Sequence, residues 1–487
     1  MKIKTTHERS PGVILARKRV SVEGAVRRPL LLMVLLLFAG PAVGQTKNGT
    51  VVIRGGTLVD VRAGKEVPNT VIVILGERIE RVAAEGKAKI PAGAQIVEAR
   101  GKWIIPGLID SHAHAGDYEG DPLKLYLANG VTTIRNPGGS VTLLRLTREK
   151  LESGKLIGPR LYFSGNILDG NPPVWTSSLL VDTPERARSA VNFLADQGVD
   201  FVKVYNNVKE AELAAIVETA KVRGLPVAGH VPRTMTMTHA IELGMTRLEH
   251  IRITGKEMLS AEEAEKIDPL PAGKREAMLW QRFALGSEKF RDLVQRLAAS
   301  RVFLDPTLVT DEYFNASNIE AEKSDPNNRY VSAEFTQGAI QSFQNPLFQI
   351  PPELKTAAVE AVHKEQLFVG MCNEAGVRII AGTDGPNMGR LLPGFGLQRE
   401  LELLVEAGLS PLQALRAATS TAAEALGKED GLGTLEPGKL ADLVVLDADP
   451  LTAIQNVRKV RTVVQGGKVY EPGALLEQTL AEAQKKQ

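Results

Sequence analysis

The chain has 487 residues, 43% of them hydrophobic, and a formal net charge of +2. That length holds one large domain with an accessory domain as readily as three small ones, so pattern has to decide between them. Cys372 is the only cysteine, which excludes an intrachain disulfide and a lipoprotein anchor.

The first segment, 1–44, is foreign to the rest. Lys2, Lys4, Arg9, Arg17, Lys18, Arg19, Arg27 and Arg28 precede an apolar run at 30–39, and Ala42-Val43-Gly44 follow as small residues before Gln45. This reads as a cleaved export signal, which places the protein in the periplasm or outside the cell. A retained anchor is the rival, but the apolar stretch is broken by Gly40 and Pro41 and falls short of the ~20 residues a bilayer needs. Without 1–44, the charge of +2 becomes 51 basic against 55 acidic residues, or −4. The basic character therefore belongs to the leader, and nothing points to nucleic acid or, once the signal is removed, to a membrane.

After the leader, short β-branched runs at 51–54, 57–60, 70–74, 79–82 and 95–98 alternate with turn signals at Gly55-Gly56 and Gly76-Glu77. They predict a small antiparallel β-domain over 48–104. The same character returns at 441–446 and 460–464, so the two ends, 48–104 and 429–475, are expected to meet in one discontinuous β-sandwich. A tail, 476–487, reads as a helix with a frayed end.

Between the ends, over 105–428, strand and helix signals alternate as in βα units. Strands are expected at 106–114, 130–136, 160–165, 200–205, 226–230, 247–251, 302–308 and 377–384, and helices at 183–197, 209–223, 287–300 and 396–407. Eight strands of this kind predict an α/β fold, a (β/α)8 TIM-like barrel. Two stretches, 252–286 and 310–352, exceed what a βα loop requires; they read as lid or specificity elements, or else as surface decoration or a subunit contact.

Four of the seven histidines fall at strand ends: His112 and His114 in Asp-Ser-His-Ala-His, His230 in Ala-Gly-His-Val-Pro, and His250 in Leu-Glu-His-Ile. Lys203 and Asp384 end two further strands. Residues two apart on a strand share a face, so His112 and His114 can grip one ion from one side. Imidazole suits zinc and similar divalent metals. His230 and His250 can hold a second ion, and Asp384 can both ligate metal and take a proton from bound water. A lysine ammonium has no acceptor, so Lys203 either is salt-bridged or becomes a ligand by carboxylation to a carbamate. Tyr205 should share the inward face of Lys203, and Arg233 and Arg390 are candidate clamps for a substrate carboxylate.

This order of motifs, with the closing segment Gly433-Thr-Leu-Glu-Pro-Gly-Lys-Leu-Ala-Asp442, resembles the amidohydrolase superfamily, and within it the imidazolonepropionase-like and metal-dependent Xaa-Pro dipeptidase-like group. The resemblance implies two divalent metal ions, zinc first among them. His112, His114 and Asp384 would bind one, His230 and His250 the other, with N6-carboxylated Lys203 bridging them. It also implies hydrolysis of a C–N bond by a metal-bridging hydroxide, with Asp384 as the catalytic base, on small-molecule substrates such as Xaa-Pro dipeptides or N-acyl amino acids. Alternatives are a mononuclear cyclic-amide hydrolase or deaminase, a lactone or ester hydrolase, and a non-catalytic binding protein. Oligomeric state, a homo-oligomer included, stays open.

Overall fold

The computed structural model describes residues 49–116, 122–316, 319–343, 349–386 and 391–485. All of these fall in one compact unit, Asn48–Gln487. The leader 1–44 and Arg390 lie outside the described residues.

The N-terminal strands are β1 (Thr50–Asp60), β2 (Lys65–Leu75), β3 (Arg78–Ala84), β4 (Gln95–Glu98) and β5 (Trp103–Pro106). Gly55-Gly56 does not turn the chain, as the sequence suggested. β1 runs through it, and its pairing with β2 shifts register at Arg54/Gly56 and Gly56/Leu58. Gly55 takes a φ of +80°, so the pair is absorbed as a bulge rather than a hairpin. The sheet is also mixed rather than antiparallel, because β4 and β5 both run parallel to β1.

The parallel strands of the middle are β6 (Leu108–Asp110), β7 (Val131–Asn136), β8 (Arg160–Phe163), β9 (Leu168–Asp169), β10 (Leu179–Leu180), β11 (Val202–Val204), β12 (Val227–Gly229), β13 (Arg247–Glu249), β14 (Phe303–Asp305) and β15 (Arg378–Ile379). They lie in two sheets, β6-β7-β8 and β10-β9-β11-β12-β13-β14-β15. Backbone hydrogen bonds tie the first to the second at two places: Asp200 N, just before β11, donates to Phe163 O at the end of β8 (2.9 Å), and Ser111 N, just after β6, donates to Ala381 O beyond β15 (2.9 Å). Each strand lies inside its expected span, and all eight are shorter. The short β9 and β10 carry no sequence signal of their own.

Helices fall where the periodicity put them. Pro184–Asp196 begins with Thr183 Oγ1 accepting from Arg186 N, and it buries Ala187, Val191 and Leu194 at helical spacing. The others are Glu210–Val222, Glu288–Ser300 and Phe395–Glu406. Both long stretches are helical: 252–286 holds Gly255–Met258, Ala261–Ile267 and Ala272–Arg282, and 310–352 holds Ile319–Ser324 and Ala333–Phe343.

The C-terminal strands β16 (Leu443–Leu446), β17 (Val460–Gln465) and β18 (Lys468–Tyr470) return to β5, with Val444 opposite Ile105. One sheet in the order β18-β17-β16-β5-β1-β2-β3 thus takes strands from both ends of the chain. Alternation decides its two faces: Leu443 and Val445 pack with Ile53, Ile72 and Ile104, whereas Val444 and Leu446 join the core around the parallel strands. Cys372 is fully buried, and burial pushes its thiol up, away from thiolate reactivity.

Candidate metal centre

The centre is built at the ends of β6, β11, β12, β13 and the segment after β15. Ala113 bridges Gly385 in parallel, which turns His112 and His114 to the other side of the chain. Their ring centroids lie 5.3 Å apart. Buried Asp110 fastens this corner by accepting from His112 N (3.2 Å), Thr383 N (3.1 Å) and Thr383 Oγ1 (2.9 Å). Asp384 N donates to His112 O (2.7 Å), which holds its carboxylate over both imidazoles. Asp384 Oδ1 lies 3.1 Å from His112 Nε2 and 2.9 Å from His114 Nε2. Asp384 and His250 both take left-handed backbone, with φ of 55° and 62°. For residues other than glycine this costs on the order of 1–2 kcal/mol each, and such strain clusters where a side chain must be aimed.

His230 and His250 continue the row, with ring centroids 4.7 Å apart, and His250 lies 5.0 Å from His112. Each Nδ1 is engaged from behind: His230 with Asn206 Oδ1 (2.9 Å) and His250 with Thr307 Oγ1 (2.6 Å). An imidazole held at Nδ1 by an oxygen presents Nε2 as a free lone pair, the arrangement metal-ligating histidines use. One ligand atom from each of His112, His250 and Asp384 lies within 4.8 Å of the others. His112 Nδ1 and both carboxylate oxygens of Asp305 are buried without a hydrogen-bond partner.

Electrostatics favours the ligand forms. Burial pushes His112 down to about 3, and it pushes His230 and His250 well below the imidazole range, so these rings are neutral at pH 7. Burial alone would raise Asp384, but the imidazoles of His112 and His114 hold it well below the carboxylate range. Neutral imidazoles around a carboxylate, with buried donors left unpaired, fit a divalent cation. Lys203 is also buried, and burial drives its amine well below the usual lysine range. Its Nζ pairs with the Glu249 carboxylate, which also accepts from Arg135 at 2.8 Å.

All six residues singled out as ligands line one cavity of about 250 Å³. Tyr205 joins them, its ring 4.1 Å from that of His230 and its hydroxyl accepting from Trp175 Nε1 (3.0 Å). Arg233 does not line this cavity. Its backbone N donates to Asn206 O (2.9 Å), and its side chain faces an adjoining crevice with Arg252 and Arg275. The two long stretches do reach the cavity, through Arg252, Gly273 and Glu276 from the first and Asp311 and Phe314 from the second. Sequence reasoning missed Asp110, Glu249 and Asp305. Glu249 stands directly before His250, and Asp110 two residues before His112, so proximity to a histidine was the available signal.

Parallel strands that present imidazoles and a carboxylate at their ends define a metal-dependent hydrolase. The chain belongs to the amidohydrolase family, whose model matches residues 103–470. It is 23% identical over 472 residues to the imidazolonepropionase of Geobacillus kaustophilus, covering 93% of this chain and 96% of that one. It is also 23% identical to the adenine deaminase of Paracoccus denitrificans, over 87% of this chain but only 58% of that protein. Among solved structures, a Xaa-Pro dipeptidase with methionine bound in its active site matches with a TM-score of 0.64 at 22% identity, over 87% of this chain and all of the other.

Proposed function

We propose that the chain is an exported binuclear hydrolase of amide bonds, acting on dipeptides of the Xaa-Pro type or on N-acyl amino acids. The reading includes closure of the parallel strands into a (β/α)8 barrel over 105–428, with an accessory β-sandwich from 48–104 and 429–475. It rests on one observation: His112, His114, Lys203, His230, His250 and Asp384 line a single small cavity. His112, His114 and Asp384 would hold one divalent ion, zinc for choice, and His230 and His250 the other, with N6-carboxylated Lys203 between them. The likeness to the Xaa-Pro dipeptidase fold supports the substrate class.

When bound, such ions polarise the scissile carbonyl and bring the pKa of water from 15.7 to about 7. The protein's own groups do the rest. Asp384 Oδ1 accepts the proton of the attacking water and delivers it to the departing amine nitrogen. Burial pushes the Tyr205 phenol up to about 12, so it stays protonated at neutral pH. With Trp175 Nε1 donating to its oxygen, the phenol keeps its own O–H to donate to the carbonyl oxygen as negative charge develops.

A second reading is a one-metal hydrolase of cyclic amides or a deaminase. The tight His112–His250–Asp384 group, the pairing of Lys203 with Glu249 and the full-length likeness to an imidazolonepropionase favour it. The deciding experiment is release of free amino groups from Xaa-Pro dipeptides, other dipeptides and N-acyl amino acids, by protein reconstituted with zinc and bicarbonate. Activity lost in Lys203→Ala supports the binuclear reading; activity kept by that variant supports the mononuclear one. Silence across the panel with metal bound overturns the amide-hydrolase reading. For export, mass spectrometry of the mature N-terminus should show loss of 1–44.

A further inference from the structure

The cavity has a second charged wall, contributed by the long helical stretches rather than by the strand ends. Arg252, Glu276 and Asp311 line it. Glu276 is already paired through one oxygen: its Oε1 accepts from Arg275 Nε (3.1 Å) and NH2 (2.7 Å) and lies 3.3 Å from Arg252 NH1. Asp311 is not. Carried on the first turn of the helix Leu308–Ala316, its half-buried carboxylate faces the cavity and has no hydrogen bond among the described residues.

A half-buried carboxylate that no protein donor reaches is left to water or to the donors of a ligand. Its surroundings select the sign of that ligand. Burial pushes Asp311 up to about 7; Arg252 opposes the rise, and the like charges of Glu276 and Asp384 add to it. Asp384 is the group that would address the scissile bond, so its charge is felt across the same space that a substrate fills. The first turn of a helix also favours an acidic residue, but that would be satisfied with the side chain in solvent.

We propose that Asp311 is a specificity residue that accepts hydrogen bonds from the free α-ammonium of the substrate, so that the site takes dipeptides with an unblocked N-terminus in preference to N-acylated ones. This rests on the amide-hydrolase reading for its substrate, but binding can be measured without turnover. The probes are L-leucinamide and N-acetyl-L-leucinamide, alike except for the ammonium, titrated calorimetrically into zinc-loaded protein at pH 7. Wild type should bind the free amine roughly ten- to hundredfold more tightly, the range of a hydrogen bond to a charged group. In Asp311→Asn the ratio of the two affinities should collapse toward one, and Asp311→Glu, which keeps the charge, should restore most of it. Equal binding by wild type, or a preference that survives in Asp311→Asn, overturns the proposal. Preference lost in Asp311→Asn while no amide is cleaved would sustain the cation site and sink the hydrolase reading alone.

Discussion

Asp384 occupies the position where geometry and charge converge, between two imidazoles and in strained backbone. If it moves the proton, Asp384→Asn should lower turnover by about 10²–10⁴-fold, the range of general acid–base work, while much of the bound metal remains. Metal content by atomic absorption beside turnover checks this, and unimpaired turnover removes Asp384 from the mechanism. Glu400 raises a different issue. It is fully buried, accepts from Val309 N (2.7 Å), leaves Oε1 unpartnered, and is pushed up to about 8 by burial. With a folded value above the unfolded one of 4.5, its contribution to stability is complete below about 4.5 and is lost as pH rises through about 8. Glu400→Gln removes that loss. Thermal melts of the metal-free protein should show the variant gaining on wild type between pH 5 and pH 8; a pH-independent difference would falsify the assignment.

Elements succeed or fail here by register. β11 and β12 align Lys203 with Ala228 and Val204 with Gly229, which brings the chain positions leading to His230 beside Lys203. Gly229 has a φ of 143°, and a Cβ there would lie 2.1 Å from Val204 O. Because that neighbour is backbone, it cannot swing aside. Gly229→Ala should destabilise the fold by about 1–3 kcal/mol or more and weaken metal retention, measured by denaturant unfolding and a chelator competition. A variant of wild-type stability and metal affinity would mean that the β11–β12 edge yields. Local signals were adequate for these elements: β-branched runs marked the strands, and the Thr183-Pro184 start marked its helix. They failed at Gly55-Gly56, where a partner strand on each side drew a turn sequence into a continuous bulged strand.

At the scale of the molecule, the terminal sheet and the parallel strands are one packing problem. Asp442, directly before β16, accepts from Arg160 Nε on β8 (2.9 Å), and successive residues of β16 belong to two cores. Unfolding should therefore be a single calorimetric transition. Leu446→Ala, which opens a cavity beside the parallel strands from within the terminal sheet, should lower that one transition by about 2–5 kcal/mol. Two separable transitions, with only one shifted, would show the parts to be independent. Among the described residues no helix is long and apolar enough to cross a membrane.

The sequence alone determined what is local: the alternation of strands and helices, the strand-end placement of His112, His114, Lys203, His230, His250 and Asp384, and the two oversized stretches. Side-chain period and flanking turn chemistry are carried by neighbouring residues, so they can be read along the chain. Tertiary structure decided which distant groups share space. Asp110 reaches Thr383 across 273 positions, and Lys203 reaches Glu249 across 46. Asp311 lines the cavity while Arg233 lines an adjoining crevice, and nothing in their flanking residues distinguishes the two. Burial and approach are properties of the packed fold, and they alone turn an ordinary carboxylate into an unpaired one beside a reaction centre.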